Sequence, residues 1–361
     1  MRIAIACGGS GGHLFPGLAV AEALSKRGHE ILLLVSEKEI DAMALKAHPE
    51  FRFEKLPVIG LPAVLSPDFV RFLQRAWEGF SRCRAIFRRY RTSAVLSMGG
   101  FTSTAPLVVA KMAGIPTFIH ESNSIPGRAN RWGARLASRI LLGFAQCQTH
   151  FPKSECIVTG TPVRSVMAKP LNREEVLRTF RLDPLCKTLL VTGGSQGASG
   201  LNQLLFRAAA LLRDLPLQII HLTGERDDGL AAANYMRENI SAYVVAFHHR
   251  MEEVLSCADV VVSRAGASSL SELSYFGLPS ILIPYPFATD NHQQSNAEVF
   301  VQAGAAEMLL ESKTSPEALA RLITDLMNDD QRRKKMAKQA REVFPHDAAQ
   351  RIVTVIEEIA Q

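Results

Sequence analysis

The 361-residue chain lacks most of what marks a secreted, metal-bound or membrane-spanning protein. Its six cysteines, at 7, 83, 147, 156, 186 and 257, form no C-x-x-C pair and no cysteine–histidine ladder. That argues against a disulfide framework or zinc site and fits a reducing cytosol. No basic stretch followed by an apolar run opens the chain, so no signal peptide is expected. Thr92 to Ala110, among the longest uncharged runs, is broken by Gly99, Gly100 and Pro106 and reads as strand, turn and helix of a soluble core. No D-x-D motif follows a strand, so neither a metal nor a cofactor is called for.

What is present begins with Gly8-Gly9-Ser10-Gly11-Gly12-His13, between the apolar run Ile3 to Ala6 and the helically spaced Leu14 to Leu24. The glycines of such a strand-to-helix turn let backbone close on a ligand, and the helix beyond offers N–H groups to an anion. A phosphate-like guest is expected. His13, at the mouth of the turn, is placed to take a proton from a bound hydroxyl, although a plain capping histidine would fit the same six residues.

Strand and helix then alternate, with strands at Glu30 to Val35, Ala94 to Met98 (ending in Gly99-Gly100-Phe101) and Thr117 to His120. The last leads into Glu121-Ser122-Asn123, polar groups beyond a strand's carboxyl end, where open α/β sheets bind ligands. At Thr188 the pattern restarts: Leu189 to Thr192, the turn Gly193-Gly194-Ser195-Gln196-Gly197, and the helical run Leu201 to Leu212. Two copies of one βα unit predict an α/β chain of two facing Rossmann-like domains with parallel sheets and a cleft between them, hinged near Thr161-Pro162 to Lys169-Pro170.

Within the second copy, Ser263-Arg264-Ala265-Gly266-Ala267-Ser268-Ser269-Leu270-Ser271-Glu272 lies between a strand and a helix. Its small residues would let a diphosphate approach the helix start while Ser268 and Ser269 donate hydroxyl hydrogen bonds. Glu272, one turn on, could accept both hydroxyls of a ribose, although a capping box would also explain the spacing. Asp290-Asn291-His292-Gln293-Gln294 supplies the mixed donors and acceptors that sugar hydroxyls need.

Charge is concentrated. The chain nets +6, and between Phe69 and Arg91 seven arginines face a single acid, Glu78. On a helical wheel of about 100° per residue, Phe72, Leu73, Ala76, Phe80, Cys83, Phe87 and Tyr90 share a stripe with Phe69, while Arg71, Arg75, Arg82 and Arg89 lie opposite and Trp77 sits off the stripe. Such a helix packs on its own core or meets an anionic membrane surface. Nucleic acid is not expected, because the charge is confined to one helix with no accompanying motif.

Taken together and in order, the first turn with Phe15-Pro16-Gly17-Leu18-Ala19, Met98-Gly99-Gly100-Phe101, His120 to Asn123, Gly160-Thr161-Pro162-Val163-Arg164, Gly193 to Gly197 and Gly266 to Glu272 with Gln293 resemble the MurG family. These are the bacterial UDP-N-acetylglucosamine:N-acetylmuramyl-(pentapeptide) pyrophosphoryl-undecaprenol N-acetylglucosamine transferases. The resemblance spans essentially the whole chain. It implies a GT-B enzyme that moves GlcNAc from UDP-GlcNAc to the 4-hydroxyl of MurNAc in lipid I, with inversion, giving lipid II for peptidoglycan synthesis and so for cell shape and division.

The resemblance also implies an acceptor and membrane-facing domain over residues 1–163, a UDP-GlcNAc domain over 164–344, and a final helix, about 345–361, returning to the first. The donor site would comprise Arg164, Ser195, His248, Ala267, Ser268, Ser269, Leu270, Ser271, Glu272 and Gln293, with Asn123 towards the sugar and Ser10, Gly11 and Gly12 closing from the first domain. His13 is the first choice of general base, with Glu121 or water as substitutes. Gly9 in the first turn, or Gly99 and Gly100, could hold the acceptor diphosphate through backbone N–H groups, and the sequence does not separate them. Phe72, Arg75, Trp77 and Phe80 correspond to the family's membrane patch. The implied place is the cytoplasmic face of the inner membrane, peripherally, with other cell-wall synthesis or division proteins as further partners.

Ser122, Thr161 and His248-His249 depart from the family's usual residues, which leaves uracil recognition open. A nicotinamide-dependent oxidoreductase fits less well because Leu14 stands at the third glycine position of the dinucleotide fingerprint. A UDP-GlcNAc 2-epimerase would not need the basic aromatic helix. A non-catalytic UDP-sugar sensor would bind donor without transfer.

Overall fold

Ile3-Ala4-Ile5-Ala6 and Val260-Val261-Val262 are apolar along their whole length and fully buried, as parallel strands covered by helices on both faces must be. The computed structural model describes residues 1–37, 48–57, 68–194 and 197–360. Two compact units result, Met1–Ser165 with Pro345–Gln361, and Val166–Phe344.

The first unit carries β1 (Arg2–Ala6), β2 (Glu30–Val35), β3 (Arg52–Lys55), β4 (Ala94–Ser97), β5 (Thr117–Glu121), β6 (Arg139–Leu142) and β7 (Cys156–Val158), in the order β3-β2-β1-β4-β5-β6-β7. All pairings are parallel. Strand order reverses between β1 and β4, and such a reversal opens a crevice beyond the strands' carboxyl ends. The Gly11–Lys26 helix buries Leu14, Leu18 and Leu24 on one face of the sheet. The Ala348–Ile359 helix adds Ile352, Val353, Val355 and Ile356 to the same cluster. Its Glu357 holds Arg27 and His29, each at 2.9 Å.

The Asp68–Tyr90 helix has two characters. Cys83, Ile86, Phe87 and Tyr90 pack with Leu32, Leu34 and Val95, so this half of the apolar stripe is a core face. Nearer its start Leu73 is 52% and Trp77 72% exposed, with Trp77 stacked on the half-buried Phe80 at 6.3 Å. The opposite arginine face is less bare than its composition suggested. Arg75 meets Glu37 at 3.5 Å, and Arg82 and Arg89 converge on Glu54. Among the described residues no helix is long and apolar enough to cross a membrane.

The second unit repeats the plan with β8 (Lys187–Thr192), β9 (Leu217–Leu222), β10 (Ala242–Val245), β11 (Val260–Ser263), β12 (Ser280–Leu282) and β13 (Ala306–Met308), ordered β10-β9-β8-β11-β12-β13 and reversing between β8 and β11. Behind the turn that follows β8 lies a polar network inside the core. Asn202 donates to the Thr223 carbonyl at 2.9 Å and to Asp227 at 2.8 Å, so its own carbonyl accepts from His221 Nε2 at 3.0 Å. His221 Nδ1 is left to accept the Tyr235 hydroxyl at 2.8 Å. These bonds fix a neutral imidazole in one tautomer. They also hold Thr223 and Gly224 against Gly197, which sits at φ +73° and whose Cβ, if present, would lie 2.4 Å from the Thr223 carbonyl oxygen.

Burial lowers the His221 imidazole to about 3 and that of His120, on β5, to about 4. Both depressed histidines stay neutral in the folded protein while the unfolded chain takes up protons near pH 6.5, so stability is full above that pH and is lost as pH falls towards 4. Urea unfolding should show a loss of about 2 kcal/mol between pH 6.5 and 5.5 from these two groups together. A flat profile across that window would contradict their burial as neutral groups.

Candidate active site

In the first unit the two glycine turns that follow β1 and β4 emerge side by side, because those strands pair directly with Ile3 opposite Ala94. The Thr102 hydroxyl ties them by donating to the Gly8 carbonyl at 3.0 Å, and the Ser103 hydroxyl donates to the Gly99 carbonyl at 2.7 Å. His13, in the first turn of the Gly11–Lys26 helix, lies over Gly99 and Gly100. Both have positive φ, +103° and +75°, and a Cβ on either would stand 3.1 to 3.2 Å from the imidazole. Only glycine therefore lets the ring seat there.

Ser10 Oγ lies 2.9 Å from His13 Nδ1. In the tautomer where Nδ1 donates to Ser10, Nε2 is the basic atom. Gly9, at φ +102°, has nothing within 4 Å of its Cβ position, so a ligand can approach its backbone. The turn thus combines an imidazole with an approachable helix N-terminus, the parts needed to deprotonate a hydroxyl beside an anion.

Behind His13 a carboxylate organises the loop after β5. Glu121, 3% exposed, accepts from Asn123 N at 2.9 Å and Nδ2 at 3.2 Å through one oxygen, and from Gly127 N at 3.0 Å and Asn130 Nδ2 at 2.8 Å through the other. The expectation that Glu121 could replace His13 as base is corrected: both oxygens are committed to holding the loop. Asn123 is half-buried and set by this carboxylate. His120 faces the other way, donating from Nε2 to the Gly160 carbonyl at 3.0 Å and accepting the Ser122 hydroxyl at 3.2 Å. Asn130, which also touches the Gly99 Cβ position at 3.2 Å, was not foreseen, since nothing local in Arg128 to Gly133 marks it.

Arg164, also in the first unit, stacks its guanidinium over Phe15 at 4.8 Å, and among the described residues its Nε is buried without a hydrogen-bond partner.

In the second unit the Ala267–Phe276 helix starts beyond β11 with Gly266 as N-cap and no side-chain cap. Ser268, Ser269 and Glu272 are half-buried at this end. Leu270 is fully buried, and Ser271, 2% exposed, donates back to the Ala267 carbonyl at 3.0 Å. These two, and the buried Ala267, lie on the helix's core face, so they would meet a ligand through their backbone.

Gln293 is also partly committed: its carbonyl accepts from Ala265 N at 3.2 Å and Tyr285 N at 2.9 Å, leaving its amide group to donate. His248 is half-buried and its side chain is held by partners of its own unit. Its ring sits edge-on to Phe180 and Tyr243, and Nε2 bonds Glu253 at 3.0 Å. Ser195 lies outside the described residues.

The profiles of the glycosyltransferase family 28 N-terminal and C-terminal domains match residues 3–142 and 188–352. The UDP-N-acetylglucosamine–N-acetylmuramyl-(pentapeptide) pyrophosphoryl-undecaprenol N-acetylglucosamine transferase of Halothermothrix orenii is 36% identical, covering 100% of both chains. That of Geobacter sulfurreducens is 37% identical over 98% of this chain and 97% of its own. The crystal structure of Acinetobacter baumannii MurG superposes with a TM-score of 0.78 at 28% identity, covering 99% of each chain.

Proposed function

Because the chain belongs to the glycosyltransferase family 28 N-acetylglucosamine transferases that the MurG proteins represent, we propose that it moves GlcNAc from UDP-GlcNAc to the 4-hydroxyl of MurNAc in undecaprenyl-pyrophosphoryl-MurNAc-pentapeptide. The product is lipid II, the disaccharide unit of peptidoglycan, on which cell shape and division depend. The observation that carries the reading is full-length identity to these transferases joined to an imidazole seated at the strand-order reversal of the first sheet.

The first unit takes the acceptor and the second the donor. His13 Nε2 removes the proton as the acceptor hydroxyl attacks the anomeric carbon in line, so the configuration inverts. The acceptor diphosphate lies over the turns at Gly9 and Gly99-Gly100. UDP leaves with its charge met by the start of the Ala267–Phe276 helix, by Ser268 and Ser269, and by Arg164. Glu272 binds the ribose, and the Gln293 amide and Asn123 address the sugar.

Incubation with UDP-GlcNAc and a soluble lipid I analogue, with the disaccharide detected by mass and its anomer by NMR, tests this. Donor binding without transfer would make the chain a sugar-nucleotide sensor instead.

We assign it a peripheral place on the cytoplasmic face of the inner membrane, a reading supported by the exposed Leu73 and Trp77 beside arginines on the Asp68–Tyr90 helix. Other cell-wall and division proteins would meet it there. Trp77→Ala should weaken binding to vesicles rich in anionic phospholipid by about ten- to hundredfold, since burying a large apolar side chain contributes about 1.5–3 kcal/mol. Unchanged co-sedimentation would remove this face from the membrane contact.

A further inference from the structure

An arginine that carries its charge into a half-buried place is ordinarily met there by a carboxylate. Arg164 is half-buried and is not: among the described residues its side chain makes no ion pair, and its Nε is buried without a hydrogen-bond partner. What holds it is the face of Phe15, with Arg164 Cζ 4.8 Å from the ring centroid.

Phe15 lies on the Gly11–Lys26 helix two residues after His13, is half-buried, and packs against the same core cluster as Leu14 and Leu18. Seven residues on, two turns along the same face, Glu22 accepts from Ser165 N at 3.2 Å. The helix therefore grips this stretch twice, by a ring against the guanidinium and by a carboxylate on the backbone N–H of the next residue. A carboxylate on the guanidinium would fix it equally well but cancel its charge. A ring face attracts the cation through its quadrupole and leaves the charge for another group to answer. With Nε buried, the terminal nitrogens are the donors left to offer, the pair that meets an oxyanion side by side.

We propose that Phe15 is a positioning residue for the donor: its ring holds the Arg164 guanidinium in place, with the charge unspent, for the diphosphate. The inference rests on the reading above that Arg164 meets the diphosphate of UDP. The first turns of one helix then carry both the imidazole assigned to the acceptor's proton and the seat of the arginine assigned to the leaving group's charge. Phe15 touches no reacting atom, and no covalent step is involved.

The test is a double-mutant cycle on the full-length protein, with UDP affinity measured by calorimetry for wild type, Phe15→Leu, Arg164→Ala and the double variant. Leucine keeps apolar bulk against the core and removes the π face. Phe15→Leu should weaken UDP binding by about five- to tenfold, the scale of a partly desolvated cation–π contact, and Phe15→Tyr, which retains a ring face, should stay within about twofold of wild type. In the Arg164→Ala background the leucine should cost less than about twofold, because the group it acts through is gone. Should Phe15→Leu not fold, Phe15→Met takes its place in each comparison.

An equal loss in both backgrounds would mean that the ring serves only the packing of its helix, and would overturn the proposal. So would unchanged UDP affinity in a folded Phe15→Leu. Arg164→Ala that binds UDP like wild type would remove Arg164 from the diphosphate and the inference with it, whereas a wild type that binds no UDP would sink the donor reading as a whole.

Discussion

His13→Ala is expected to lower kcat by about 10²–10⁴-fold while leaving the KM for UDP-GlcNAc within about twofold. The magnitude is what a positioned base contributes to removing a hydroxyl proton. The split between kcat and KM follows from placement, since His13 belongs to the first unit and the residues assigned to the nucleotide lie mostly in the second. Steady-state kinetics with a soluble acceptor decides the matter: near-normal turnover would show that the ring only fills the space above Gly99 and Gly100. Ser10→Ala should give a smaller loss, because it frees the imidazole to rotate without removing the base.

Glu121→Gln should destabilise the first unit by about 2–4 kcal/mol despite changing one atom. All four partners of this carboxylate are donors: Asn123 N, Asn123 Nδ2, Gly127 N and Asn130 Nδ2. An amide can satisfy one pair, but its NH2 group then points at the other, and two N–H groups lose their acceptor. The loop that frames His13 would loosen, so acceptor KM should rise along with the drop in unfolding midpoint. Denaturant unfolding of the two proteins checks this, and equal midpoints would mean that the loop does not depend on the carboxylate.

Much of this plan was legible in the sequence because it is written locally. β1, β8 and β11 are unbroken apolar runs, and the glycines after them announce tight turns whatever lies elsewhere. β3, β6, β7 and β13 were not anticipated: Arg52-Phe53-Glu54-Lys55 lies at a sheet edge and has no buried run, and Arg139–Leu142, Cys156–Val158 and Ala306–Met308 are too short to show a pattern.

In the donor segment, helical spacing sorts inward side chains from the rest. Ala267, Leu270, Ser271 and Ser274 fall at helical spacing and all turn inward, so periodicity alone separates them from Ser268, Ser269 and Glu272. The roles of Asn130 and Glu121 were illegible for the opposite reason. Each depends on partners that only the folded sheet brings together, as when Asn130 Nδ2 reaches Glu121 at 2.8 Å and the Gly99 Cβ position at 3.2 Å.

The return of the Ala348–Ile359 helix to the first unit sets an order of events on the ribosome. Residues 166–344 have all been translated before Ile352, Val353, Val355 and Ile356 emerge, and until then the Gly11–Lys26 helix lacks part of its cover. The unit translated first is therefore the last to be completed, and its exposed apolar face needs shielding during elongation. A premature stop shortly before residue 348 would yield a finished second unit attached to an unfinished first one, a natural substrate for chaperones and proteases.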